Sequence, residues 1–235
     1  MRVLVITAVP SERDAVTAAA GPEAETESLP LAGGLDAHRF WLPGQVIDVL
    51  AAGVGPAAAA AGTATALAGG AYDLVISAGI GGGFAPDAPV GSTVVASSIV
   101  AADLGGETPE GFADVAALGF GVVTYQPPED LARQVAVATG SLLGPVLSVS
   151  TVTGTAGRAA ELAGRHLGAA AEAMEGFGVA TAAALHGVPV LEIRAVSNAV
   201  GPRDRPAWRI PEALAALTGA FTTIWPVVNS WRDRG

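Results

Sequence analysis

An arginine inside an apolar strand is costly unless an acid or a ligand meets it, because its guanidinium loses the water around it. Arg194 stands in such a place, within "VPVLEIRAV" from Val188 to Val196. The run continues into Ser197 and Asn198 and then into Arg203, Asp204, Arg205 and Trp208. Four of the twelve cationic side chains, Arg194, Arg203, Arg205 and Arg209, thus fall within sixteen residues. Arg203 and Arg205 suit a bidentate contact with a carboxylate, and Trp208 would supply an aromatic wall beside it. Equally, Arg203, Asp204 and Arg205 can pair among themselves and order the loop.

Three further stretches carry groups of chemical interest. Glu12 follows the first apolar run. It can take a proton from water, and a glutamate in a first helical turn is also simply favoured by the macrodipole. "SAGIGGGF" sets Gly79, Gly81, Gly82 and Gly83 around Ile80. Such a loop lets backbone N–H groups wrap an anion or a hydroxyl-rich group, or it is a tight turn between strands. No lysine follows it as in a Walker loop, and it does not open a helix as GxGxxG. "EAMEGFG" places Glu172 and Glu175 around Met174 at an expected helix start. A carboxylate there can accept hydrogen bonds from two sugar hydroxyls and a methionine can pack on the ring, although a solvated helix start would read the same way.

Composition removes several kinds of chemistry. The chain has no cysteine, which excludes disulfides and thiolate metal sites and makes the cytoplasm the expected compartment. All twelve cations are arginine, so no lysine is present to form a Schiff base. His38, His166 and His186 share no ligand spacing, and neither a metal nor any other cofactor is expected. A formal net charge of -10 argues against nucleic-acid binding, while a small anion could still enter a local arginine pocket. The apolar runs are short and interrupted, so no membrane association is expected, and no GxSxG elbow offers a serine nucleophile.

The elements that must position these groups are an alternation of β-rich runs and alanine-rich stretches of helical length. Strands are expected at Arg2 to Val9, Gln45 to Gly53, Tyr72 to Gly79, Ser92 to Val100, Pro145 to Val152 and Val188 to Val196. Several are apolar on both faces, as in a mixed or mostly parallel sheet covered on both sides. Helices are expected at Ser11 to Ala20, Ala57 to Leu67, Glu129 to Ala138, Gly157 to Leu167, Glu175 to Leu185 and from Glu212 to near Trp225. Ser11 and Asp14 suggest a capping box, with Gly21 as the stop. Gly21 to Leu35 and Leu104 to Asp114 read as loops or lids. In open α/β sheets ligands bind beyond the carboxyl ends of the strands, and Glu12, the glycine loop, Glu175 and the Arg194 to Asn198 segment all fall at such ends.

Taken in order, Glu12, the glycine loop, "STVTGT" (Ser150 to Thr155), "AMEGFGVA" (Ala173 to Ala180) and "RAVSNAVGPRDRPAW" (Arg194 to Trp208) resemble the nucleoside phosphorylase and nucleosidase family. The similarity extends over nearly the whole chain. It implies one domain across residues 1–235, a three-layer αβα sandwich with a mixed central sheet, assembled as a homo-oligomer. The implied partner is a small nucleoside, whose purine N-glycosidic bond is cut by water. By position Glu12 matches the acid that activates the water, Met174 and Glu175 the ribose-binding pair, and Arg194 the arginine that orients the water site. Gly79, Ile80, Gly81 and Gly82 match the loop under sugar and base, and Thr151, Thr153 and Ser197 join the substrate-binding set.

Two departures matter. Asn198 stands where adenine-specific members carry an aspartate, and an amide that both donates and accepts suits a 6-oxopurine such as hypoxanthine. Ile80 replaces a serine near the water, which shifts water positioning to Glu12, Arg194 and the backbone. Within the family the likeness is greatest to hydrolases whose substrate also bears a benzoate beyond the ribose, the group that Arg203, Arg205 and Trp208 would meet. The rivals are hydrolysis of methylthioadenosine or adenosylhomocysteine, phosphorolysis, and a nucleoside binder without catalysis.

Overall fold

β1 (Arg2–Thr7) is a run of branched residues, and Val3, Leu4, Val5 and Ile6 are all fully buried. Burial of consecutive residues means that both faces of this strand are covered. The computed structural model describes residues 1–231. After β1 come α1 (Pro10–Ala18), β2 (Thr26–Pro30), β3 (Asp36–Leu42), β4 (Gln45–Ala51), α2 (Pro56–Gly69), β5 (Leu74–Gly83) and β6 (Thr93–Ala101). Then follow β7 (Gly105–Thr108), β8 (Gly111–Asp114), β9 (Thr124–Tyr125), α3 (Glu129–Thr139), β10 (Leu142–Ser148) and α4 (Ala156–Arg165). The chain continues through β11 (Ala171–Ala173), α5 (Gly176–Leu185), β12 (Val190–Ala199) and α6 (Ile210–Ser230).

The main sheet runs β11-β10-β6-β12-β5-β1-β4-β3-β2, with β9 added beside β6. It is mixed: β1 lies parallel to β4 and β5, and β5 parallel to β12, whereas β12 meets β6 antiparallel. β11 pairs with both β10 and β5, so β5, β12, β6, β10 and β11 close into a ring. One apolar layer joins α1, α3 and α6 to one face of the sheet, and a second joins α2 and α5 to the other. This is a three-layer αβα sandwich. In α6 the buried residues Ala213, Leu217, Phe221, Ile224 and Val228 recur at three- and four-residue spacing, giving the stripe that faces the sheet.

Four expectations need correction. Gly79 to Gly83 is not a loop: it is the end of β5, paired with β12 from Arg194↔Gly79 to Ala199↔Gly83 and with β11 at Gly82↔Glu172. Pairing with β12 throughout, and with β11 as well at Gly82 and Gly83, supplies the extended geometry that glycine does not favour by itself. Gly21 to Leu35 holds β2, an exposed strand antiparallel to β3, which the polar sequence "DAHRFWL" also concealed. Leu104 to Asp114 forms the β7–β8 hairpin. At the start of α1 the cap is not made by Ser11 and Asp14. Val9 is the N-cap, and the Glu12 side chain reaches back to the amides of Ala8 and Val9.

Candidate active site

Glu12 is held at the end of β1 by three backbone amides. Its Oε2 accepts from Ala8 N–H at 2.9 Å and Val9 N–H at 3.3 Å, and its Oε1 accepts from Ile80 N–H at 2.8 Å. Because the contact uses the Ile80 amide, an isoleucine serves here without any side-chain hydroxyl. Gly79 makes the approach possible: a Cβ there would stand 2.6 Å from Glu12 Oε1 and 2.8 Å from Arg194 Nη1. The carboxylate and the guanidinium therefore both occupy the space above this one glycine.

Arg194 is fully buried on β12. Its Nε donates to Glu192 Oε1 at 2.9 Å, its Nη2 donates to Ser77 Oγ at 2.9 Å, and its Nη1 lies 3.3 Å from Glu175 Oε2. Glu175 is the N-cap residue of α5. Its Oε1 accepts from Gly55 N–H at 3.1 Å, a contact set up where α2 begins. The small residues of α2 and α5 let the two helices pack closely, and Gly178 of α5 lies directly against the Pro56 carbonyl.

One cation thus faces three buried carboxyls, Glu12, Glu175 and Glu192. Burial pushes the Glu12 carboxyl above its ordinary value of 4.5, against the pull of Arg194 and of the Ile80 and Ala8 amides, while Glu175 adds to the rise. Burial likewise raises Glu192, which Arg194 opposes and Glu175 reinforces. For Arg194 burial works against the charge, but Glu192, Glu175 and Glu12 outweigh it and hold the guanidinium protonated. A buried carboxyl with a raised pKa accepts a proton more readily than an exposed one, as a general base must.

Beyond this cluster the ring of strands carries the remaining groups. Asn198 pairs with Gly82, its Oδ1 accepts from Ser197 Oγ at 2.9 Å, and its Nδ2 donates to Ala199 O at 3.0 Å. One N–H of that amide is left for a ligand. Ser197 is buried, whereas Ile80, Gly81, Thr153, Met174 and Asn198 keep partial exposure, the condition for touching a ligand. Thr153 binds Glu172 through its N–H at 2.8 Å and through its hydroxyl.

Arg203 lies against this loop, its N–H donating to Gly154 O at 3.2 Å and its guanidinium stacked 5.3 Å from the Trp208 ring centre. Arg203, Asp204 and Arg205 make no ion pair among the described residues, so internal pairing does not order their loop. Thr151 and Arg205 are exposed, and no hydrogen bond among the described residues ties either side chain to the cluster. Ser77, the Gly55 amide and Glu192 were absent from the set expected from sequence. Only Glu192 carried a signal, since a residue two before Arg194 in a strand must share its face.

The Phosphorylase superfamily profile matches residues 2–223. A futalosine hydrolase of Streptomyces coelicolor is 64% identical over 241 aligned positions, covering 99% of this chain and 98% of that protein. A futalosine hydrolase of Acidothermus cellulolyticus is 44% identical and covers 94% of this chain and 89% of its own. Among solved structures, futalosine hydrolase of Helicobacter pylori superposes with a TM-score of 0.82 at 20% identity, over 97% of this chain and 98% of that one. The methylthioadenosine/adenosylhomocysteine nucleosidase of Neisseria meningitidis gives 0.81 at 22%, over 98% and 99%. At such identities the solved structures speak for the fold. The profile match spans every strand of the sheet and the segments that carry Glu12, Glu175 and Arg194, and this chain belongs to the phosphorylase superfamily.

Proposed function

We propose that this protein hydrolyses the N-glycosidic bond of futalosine, releasing hypoxanthine and the dehypoxanthinyl sugar, a step toward menaquinone. The observation that carries this reading is the buried Glu12–Arg194–Glu175 cluster at the carboxyl ends of β1, β5 and β12, with Asn198 beside it. Identity of 64% to a futalosine hydrolase over the whole chain supports the choice of substrate.

Breaking the C1′–N9 bond develops positive charge on the sugar and negative charge on the departing base. Glu12 takes a proton from water as the oxygen bonds to C1′. Glu175 accepts from the 2′- and 3′-hydroxyls, with Met174 against the ring, and Arg194 keeps Glu175 in place. N9 receives the bonding electron pair, and the free N–H of Asn198 meets N7 or O6, where the charge collects. The proton held by Glu12 leaves with the base or with solvent. Gly79, Gly81 and Gly82 with Ile80 floor the site, Thr151, Thr153 and Ser197 border the base, and Arg203 and Arg205 with Trp208 take the benzoate.

The absence of cysteine favours the cytoplasm, and a homo-oligomer fits the exposed Leu104, Leu118, Phe120 and Val122, at 43%, 40%, 62% and 52% exposure, which a second copy would cover. Light scattering reads that state directly. Among the described residues no helix is long and apolar enough to cross a membrane.

Incubation with futalosine, methylthioadenosine and inosine, each with and without phosphate, tests the reaction. Hypoxanthine from futalosine without phosphate is the expected product. Dominant adenine release or a strict phosphate requirement would overturn it, and futalosine binding without turnover would leave a binder. Arg203→Ala and Arg205→Ala should lower turnover of futalosine relative to inosine.

A further inference from the structure

We infer that Glu172 is the group that reads the N1–H of a 6-oxopurine, and that it sets base selectivity together with Asn198; this rests on the 6-oxopurine substrate proposed above. Glu172 of β11 and Asn198 of β12 both pair with the same residue, Gly82 of β5, from its two sides. Side chains at paired positions project from the same face of a sheet. The carboxylate and the amide therefore stand on one face, about 10 Å apart at their backbones by two strand spacings, with a glycine between them. A Cβ on Gly82 would come within 3.3 Å of Asn198 Nδ2, so any larger residue would fill the space over which the amide leans. The gap is suited to a flat bicyclic base presenting one edge to each side.

The carboxylate is aimed as well as placed. Thr153 donates to Glu172 Oε1 from its N–H at 2.8 Å and to Oε2 from its hydroxyl. A carboxylate accepts about four hydrogen bonds, and these use one site on each oxygen. Glu172 is only 5% exposed and forms no ion pair among the described residues, an expensive placement that the hydrolytic steps leave without a purpose. A 6-oxopurine supplies the missing donor at N1–H, on the edge away from N7. A 6-aminopurine presents a lone pair at N1 instead, which a carboxylate repels.

Calorimetric binding of hypoxanthine and 1-deazahypoxanthine, which has C–H in place of N1–H, tests this without turnover. The full-length protein should prefer hypoxanthine by about 10- to 100-fold, the range for a hydrogen bond to a charged group. Glu172→Gln should cut that preference about tenfold and Glu172→Ala should abolish it. Thr153→Val, which keeps Glu172 and frees one oxygen, should reduce it less and guards against a Glu172 variant that does not fold. A preference of the same size in the parent and in folded Glu172→Ala would overturn the inference while leaving the hydrolase reading intact. Failure of the parent to bind hypoxanthine at all would likewise overturn the inference, whereas only the product assay with futalosine decides the hydrolase reading.

Discussion

Two buried charge networks sit at opposite ends of the sheet, and they are built in opposite proportions. At the amino end, Asp48 receives Arg39 through Oδ1 at 2.6 Å and Oδ2 at 2.8 Å, Arg2 at 2.8 Å and the Tyr72 hydroxyl at 2.7 Å. One carboxylate has two arginines and a phenol. At the carboxyl end, one arginine has three carboxyls. Burial disfavours the Asp48 charge, but the bonds from Arg39, Tyr72 and Arg2 outweigh it and hold the carboxyl below its usual range. Glu12 and Glu192, raised by burial and sharing one arginine, lie above theirs. A carboxylate matched by more than one cation fixes structure; carboxyls that share a single cation keep capacity for a proton or a ligand's hydroxyls.

The contrast is broken most sharply by removing one carboxylate from each end. Glu12→Gln should lower kcat/KM for futalosine by about 10²- to 10⁴-fold, the usual weight of a general base. A variant with near-parental kcat/KM would mean that Glu12 is not the base. Asp48→Asn should instead cost about 3 kcal/mol in chemical denaturation as two arginines lose their partner. The folded fraction should keep its kcat/KM.

Adding a carboxylate to the end with a single arginine sharpens the comparison with a smaller effect. Asn198→Asp should move the ratio of hypoxanthine to adenine release toward adenine by about tenfold to a hundredfold. Competition between inosine and methylthioadenosine measures it, and an unchanged ratio would remove Asn198 from base selection.

The smallest effect lies in the pH dependence of stability, where the two ends carry opposite signs. With folded values raised above 4.5, Glu12 and Glu192 bind more protons folded than unfolded, so their contribution falls as pH rises from 4.5 through the folded values. Asp48 is lowered from 3.8, so its contribution is present above 3.8 and is lost as pH falls through the folded value. Denaturation midpoints across a pH series should show Glu192→Gln flattening the decline above 4.5 and Asp48→Asn removing the acid-side loss. Parallel curves for both variants and the parent would mean that the two networks do not differ in proton affinity.

Much of the scaffold was legible because its signals were local. "RVLVIT" and "VLEIRAV" are apolar enough to be strands buried on both faces, and the alanine-rich stretches became α2 and α5. Exposed β2 has no alternation to reveal it, and it forms only because β3 offers a free edge. "GIGGG" reads as a turn by propensity and becomes a strand because β12 pairs along all of it and β11 joins at Gly82 and Gly83 from the other side. Within the site, Arg194 announced a missing partner through its apolar surroundings. That Glu192 answers from within the same strand, and that Glu175 and Glu12 approach from other elements, required the register of the sheet.

The sequence by itself determined the kinds of groups present: arginines as the only cations, no thiol, a glutamate just beyond the first strand, an arginine locked in an apolar run and an asparagine after it. Those facts follow from residue type and local spacing. Only the tertiary structure decided which groups face one another. Ile80 is 68 positions from Glu12, and Gly55 is 120 from Glu175. Strand order and register alone bring such residues within hydrogen-bonding distance, and they also set Glu172 and Asn198 on either side of one glycine.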